Sequence, residues 1–175
     1  MHGGPFLVTL GLDVETFARL DRLRNHYFHA ARNVVPAHVS LFHKLPPDEG
    51  ESVAAALGEV AASSGPIPVR LGALKFTGGG VMAGVESPGL SAVHRELSRR
   101  FDRWLTPQDR QPYRPHVTIM NKAERAEASR AFEELRIGWS PWDGVGKSLL
   151  LWEYRGGPWR AVSAYPFVGG SGRTG

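Results

Sequence analysis

Two phrases in this chain set an imidazole two residues before a hydroxyl: His38-Val39-Ser40-Leu41 and His116-Val117-Thr118-Ile119, at an offset of 78. Side chains alternate along a strand, so His38 and Ser40 would share one face and His116 and Thr118 another, with the aliphatics turned to the core. Two imidazoles suit the opening of a phosphodiester. One takes a proton from the attacking oxygen and the other gives one to the leaving oxygen, and an ordinary pKa near 6.5 lets one be neutral while its partner is charged. Ser40 and Thr118 can donate hydrogen bonds to the nonbridging phosphate oxygens, which needs no metal and no cofactor.

Other groups stand near these phrases. Lys44 and Lys122 close them, and Arg114 precedes the second; each could steer or bind an anion. Strict alternation puts Phe42 and Lys44 on the His38 face, where Phe42 could stack on a nucleobase, and turns His43 away. Tyr154, on a late strand with Trp152, aligns with Phe76 under the same offset and could hold a base from the other half. His26 and His29 have helical spacing but no carboxylate or cysteine nearby completes a metal set. Arg95, Arg99, Arg100 and Arg103 read as a solvated helix face, and His94 among them has no assigned role.

The elements that must position these groups repeat too. A strand at 6–12 is followed by Asp13 as helix cap and a helix to about residue 33; a strand at 38–44, a helix at 48–62 and a strand at 69–76 come next. Glycines 78–80 turn the chain into a strand at 81–86. A helix at 90–105, a proline-rich stretch, a strand at 116–121 and a helix at 123–135 precede strands at 147–154 and 159–167. Shifted by 78, the His phrases superpose, Lys44 falls on Lys122, and Gly78 and Gly79 fall on Gly156 and Gly157. A period this long is a duplicated half-domain. The expected fold is α+β: two pseudo-symmetric β-α-β-α-β lobes, mainly antiparallel, lining a central cleft with helices outside. Residues 1–168 would form this single bilobal domain, and 169–175 a disordered tail.

Composition narrows the function classes. The 21 Lys and Arg against 17 Asp and Glu give a net charge of +4 over 175 residues, which suits an anionic ligand but lacks the dense basic tracts of tight nucleic-acid binders. Cysteine is absent, which excludes disulfides and thiolate metal sites. The start of the chain shows no basic leader with an apolar core, and no apolar run reaches bilayer length. The expectation is a cytoplasmic monomer with no membrane association.

HVSL and HVTI, in the phrases VPAHVSLFHKLP and YRPHVTIMNK, resemble the paired signature of the two-histidine (2H) phosphoesterases, the superfamily of the 2'-5' RNA ligase-like (LigT-like) proteins. The resemblance runs from the first strand to the last hairpin. It implies two pseudo-symmetric lobes around a cleft, His38 and His116 as the acid/base pair, Ser40 and Thr118 as phosphate ligands, and RNA termini or small cyclic nucleotides as partners. Hydrolysis of a 2',3'-cyclic phosphate, 2'-5' ligation and non-catalytic binding of a phosphorylated ligand stay open at this level, as does a metal hydrolase, which chelators would inhibit.

Overall fold

A computed structural model of the chain describes residues 3–169. Strand β1 (Phe6–Leu12) leads into α1 (Val14–Tyr27), β2 (Val39–Leu45), α2 (Gly50–Ala62) and the hairpin β3 (Ile67–Phe76) and β4 (Val81–Glu86). Then follow α3 (Pro88–Arg100), β5 (His116–Met120), α4 (Arg125–Gly138) and the hairpin β6 (Trp142–Glu153) and β7 (Arg160–Pro166). A repeat therefore shows in element order, each half running strand, helix, strand, helix, strand. It shows also in the hairpin turns, where Gly78 and Gly156 adopt φ of +89° and +81°. A side chain would strain that left-handed backbone, which accounts for glycine at both equivalent places.

Local chemistry sets the helix starts. Asp13 caps α1 by accepting the Thr16 amide at 2.9 Å, and its other oxygen accepts the Val145 amide at 2.8 Å, tying the cap to β6. Ser87 caps α3 through the Leu90 amide at 3.1 Å, with Pro88 in the first turn. α1 ends at Tyr27 and only a single 3-10 turn follows at Ala30–Arg32, so the first helix is shorter than its apolar spacing suggested.

All strand pairs are antiparallel and join one seven-stranded sheet, ordered β2-β1-β6-β3-β4-β5 with β7 also on β6. The third strand of each half crosses over: β6 pairs with β1, and β3 pairs with β4. The seam where the halves meet is β3 against the first residues of β6, Ile67 opposite Gly146 through Leu71 opposite Trp142. One sheet face is aliphatic, with Val8, Leu10, Val39, Leu149, Leu71 and Val117 almost wholly buried. Each such side chain contributes roughly 1.5–3 kcal/mol by leaving water. The other face carries His38, Ser40 and Thr9 on one side and His116, Thr118 and Met82 on the other.

The proposed tail lies outside the described residues except for Gly169, whose amide donates to the Ser64 carbonyl at 2.8 Å. No helix among the described residues is long and apolar enough to cross a membrane.

Candidate active site

His38 immediately precedes β2 and His116 opens β5, and the two rings are held in the same way. Nδ1 of His38 lies 2.8 Å from the Pro36 carbonyl, and Nδ1 of His116 lies 2.9 Å from the Arg114 carbonyl. A carbonyl only accepts, so each Nδ1 carries the proton and each Nε2 is left to act on something else. Neither Nε2 has a hydrogen-bond partner among the described residues. The residue two before each histidine thus fixes its tautomer, and both positions are equivalent under the duplication.

The two motifs converge. Ser40 and His116 line a common pocket of about 180 Å³, and His116 and Thr118 line an adjoining one of about 260 Å³. The positive charges of Arg24, His43 and His116 all act on His38. Burial is the largest influence there. It outweighs the bond to the Pro36 carbonyl, and with those three charges it pulls the His38 pKa down to about 4.

One turn of α1 holds both phrases in place. Asp21 accepts the Ala37 amide at 2.9 Å, next to His38. Arg24, one turn on, donates to the Thr118 carbonyl at 2.9 Å and to Asn33 Oδ1 at 2.8 Å, and its guanidinium lies 4.3 Å from the centre of the Phe28 ring. Arg24 is only 4% exposed; burial lowers its pKa and the charge of Asp21 partly offsets that. Sequence reasoning missed this pair, because an acidic and a basic residue three apart on a helix is ordinary.

Alternation failed within β2. Thr9 pairs with Ser40 but Val8 pairs with Phe42, so Leu41 is an extra residue in a β-bulge. The phase flips after it. Phe42 is fully buried, with its ring centre 4.9 Å from that of His94 and 5.3 Å from that of Phe101, so it cannot line the cleft. Burying a phenyl ring gains more than the ladder bond a bulge forgoes, roughly 1.5–3 against about 1 kcal/mol. His43 turns instead toward the site and lines the same pocket as Ser40 and His116. Its Nδ1 lies 2.8 Å from Asp109, a carboxylate only 5% exposed.

The remaining candidates separate by position. Arg114 borders both the 180 Å³ pocket and a larger one beside His116. Lys44 and Lys122 are exposed and line none of the pockets at the two motifs; Lys44 gives its amide to Asp109, and Lys122 has φ of +56° and a carbonyl bonded to Arg32. Tyr154 lies just past β6, 43% exposed, and does not line these pockets either. Aromatic surface at the cleft comes from other residues. The Trp159 ring centre stands 4.7 Å from that of His38, and Trp152, whose Nε1 donates to Thr9 Oγ1 at 2.8 Å, lines with it a pocket of about 330 Å³ beside His38. Trp152 was seen in sequence as the neighbour of Tyr154; Trp159 gave no signal, being a tryptophan after a glycine turn.

The 2'-5' RNA ligase superfamily model matches residues 12–158, most of the chain. This protein belongs to the 2'-5' RNA ligase superfamily. No curated protein sequence matches it. Solved structures share the superfamily member's fold. TT0787 of Thermus thermophilus is 17% identical with a TM-score of 0.68, the alignment covering 94% of this chain and 98% of that one. Escherichia coli LigT complexed with 3'-AMP is 16% identical with a TM-score of 0.66 over the same shares. A third, described as a phosphoesterase, is 15% identical with a TM-score of 0.66. At these identities the likeness establishes the LigT-like α+β architecture with its antiparallel sheet.

Proposed function

We propose that this superfamily member is a metal-independent phosphoesterase that opens a 2',3'-cyclic phosphate on an RNA terminus or a small nucleotide. The observation that carries the reading is the pair of equivalent imidazoles, each tethered through Nδ1–H with Nε2 left free. The 3'-AMP in the LigT structure supports it, since a ribonucleotide with a 3'-phosphate is a product of such an opening.

His38 serves as the base, because its surroundings keep the ring neutral well below pH 7. Nε2 of His38 takes a proton from water as the oxygen attacks phosphorus in line. The bond from phosphorus to one ribose oxygen breaks, and that oxygen takes a proton from Nε2 of His116. The product is a phosphomonoester beside a free hydroxyl, with the extra proton moved from His116 to His38 and returned through solvent. Ser40 and Thr118 donate to the nonbridging oxygens as charge builds there. The ribose and base have the tryptophan pocket beside His38 available to them. Ligation is the same chemistry with a ribose hydroxyl attacking in place of water.

The test is hydrolysis of adenosine 2',3'-cyclic phosphate with chelator present. Wild type should turn over undiminished by chelator. His38→Ala and His116→Ala should each lose roughly 10²–10⁴-fold in kcat while keeping a native circular dichroism spectrum. Turnover retained by either folded variant defeats the two-histidine mechanism, and 3'-AMP binding by a wild type that turns over no cyclic nucleotide would make the protein a binding module.

A further inference from the structure

The 180 Å³ pocket shared by Ser40 and His116 extends past the proposed reaction centre to a group that the mechanism leaves unused. His43 lines it, held from behind by Asp109. That carboxylate is thoroughly occupied. Its side chain is 1% exposed, and it accepts the His43 ring at 2.8 Å, the His43 amide at 3.0 and 3.1 Å and the Lys44 amide at 3.2 Å. Desolvation opposes its charge, but these bonds from His43 and Lys44 prevail and hold the carboxyl below its ordinary range. Asp109 also lines the pocket, but its oxygens are taken up by these donors from β2 and its side chain is nearly closed to solvent.

His43 has its Nδ1–H on Asp109, so its Nε2 lies on the far edge of the ring, without a hydrogen-bond partner among the described residues, and the side chain is 40% exposed. Arg114 borders the same pocket, and Gln108 adds a carboxamide. A protonated His43 would present an N–H to an anion there, its charge balanced by Asp109, and Arg114 would supply a forked donor suited to phosphate. Hydrophobic lining suited to a base lies elsewhere, beside His38.

We propose that His43, oriented by Asp109, and Arg114 form a second phosphate subsite, which selects substrates carrying a further phosphate one nucleotide step from the cyclic phosphate. This rests on the phosphoesterase reading for the identity of the first phosphate. The shared chemistry is a phosphate on the 5' oxygen of the terminal nucleoside, either as a free monoester or as the internal diester of an oligonucleotide.

Three substrates separate these cases: adenosine 2',3'-cyclic phosphate, its 5'-phosphorylated form, and the dinucleotide ApA ending in a 2',3'-cyclic phosphate. Wild type should show kcat/KM roughly tenfold higher on at least one of the two phosphorylated substrates than on the first, mainly through KM. A gain on the 5'-phosphorylated mononucleotide alone identifies a monoester site, and a gain on the dinucleotide identifies a site for a chain phosphate. In His43→Gln and in Arg114→Gln this ratio should fall to near one. A wild-type ratio near one, or variants that slow all substrates by a common factor, overturns the subsite.

If wild type hydrolyses none of the three, the phosphoesterase reading has failed separately. The subsite is then judged by calorimetric binding of adenosine 3',5'-bisphosphate against 3'-AMP. Tighter binding of the bisphosphate that His43→Gln abolishes upholds the subsite, and equal binding rejects it.

Discussion

Arg24 shows how one side chain can serve both histidine phrases. Its guanidinium is buried, donates to the Thr118 carbonyl, and acts through space on His38, where its charge opposes protonation. Removing that charge while keeping the bulk should raise the His38 pKa. In Arg24→Met, the His38 ring titration followed by NMR should therefore move upward from about 4. The Thr118 carbonyl and Asn33 would lose their donor, lowering stability by about 1–2 kcal/mol. An unchanged or lower midpoint would show that the Arg24 charge does not act on His38. A conservative Arg24→Lys change should keep part of the charge effect but lose the forked geometry, so its midpoint should fall between the two.

At the scale of elements, β2 is the strand whose shape matters most, and the bulge at Leu41 is pinned from outside. Asp109 holds the amides of His43 and Lys44, and the Tyr113 hydroxyl donates to the Ser40 carbonyl at 2.9 Å. Tyr113 also stacks flat on His94, ring centres 3.8 Å apart, and burial pushes its hydroxyl pKa above the ordinary range. Tyr113→Phe keeps the stack and deletes the hydrogen bond. It should shift the urea midpoint by an amount equivalent to about 1 kcal/mol with the slope unchanged, and should lower turnover because Ser40 is no longer held. Full retention of both would show that Asp109 alone fixes the bulge. The histidine phrases, their hydroxyls, the repeated order of elements and the Asp13 cap were legible in sequence because each depends on spacing or on neighbours within a few residues. The bulge was not, since it depends on Asp109 and Tyr113, more than sixty residues away, and Phe42 and His43 were assigned to the wrong faces as a result. The crossing of β3 and β6 was hidden for the same reason: pairing partners are a tertiary choice, and both strands look alike in sequence.

Across the whole molecule the two histidine phrases hold equivalent positions in unequal surroundings. His38 is held away from water, with Trp159 beside it and the charges of Arg24, His43 and His116 acting on it, so burial first and those charges second favour the neutral ring in the folded protein. His94, enclosed between Phe42 and Tyr113, is shifted downward mainly by burial as well. Both histidines bind a proton more readily when the chain is unfolded. Stability should accordingly be unaffected by them above about pH 6.5 and should fall as pH drops from there toward about 4, where His38 also protonates in the folded state. The carboxylates act in the same sense but in a lower window. Asp13 and Asp109 have folded pKa values below their ordinary 3.8, so the stability they contribute is complete above that value and is lost only as pH falls through the lowered one. Urea unfolding at pH 7, 5.5 and 4.5 should therefore show a decline to which the histidines contribute before Asp13 and Asp109 take part. His38→Gln should flatten that decline, with the slope that remains reporting His94 among others. A wild type equally stable at pH 7 and 4.5, or a variant with an undiminished slope, would mean that His38 is not held neutral by the fold, and its assignment as the base would go with it.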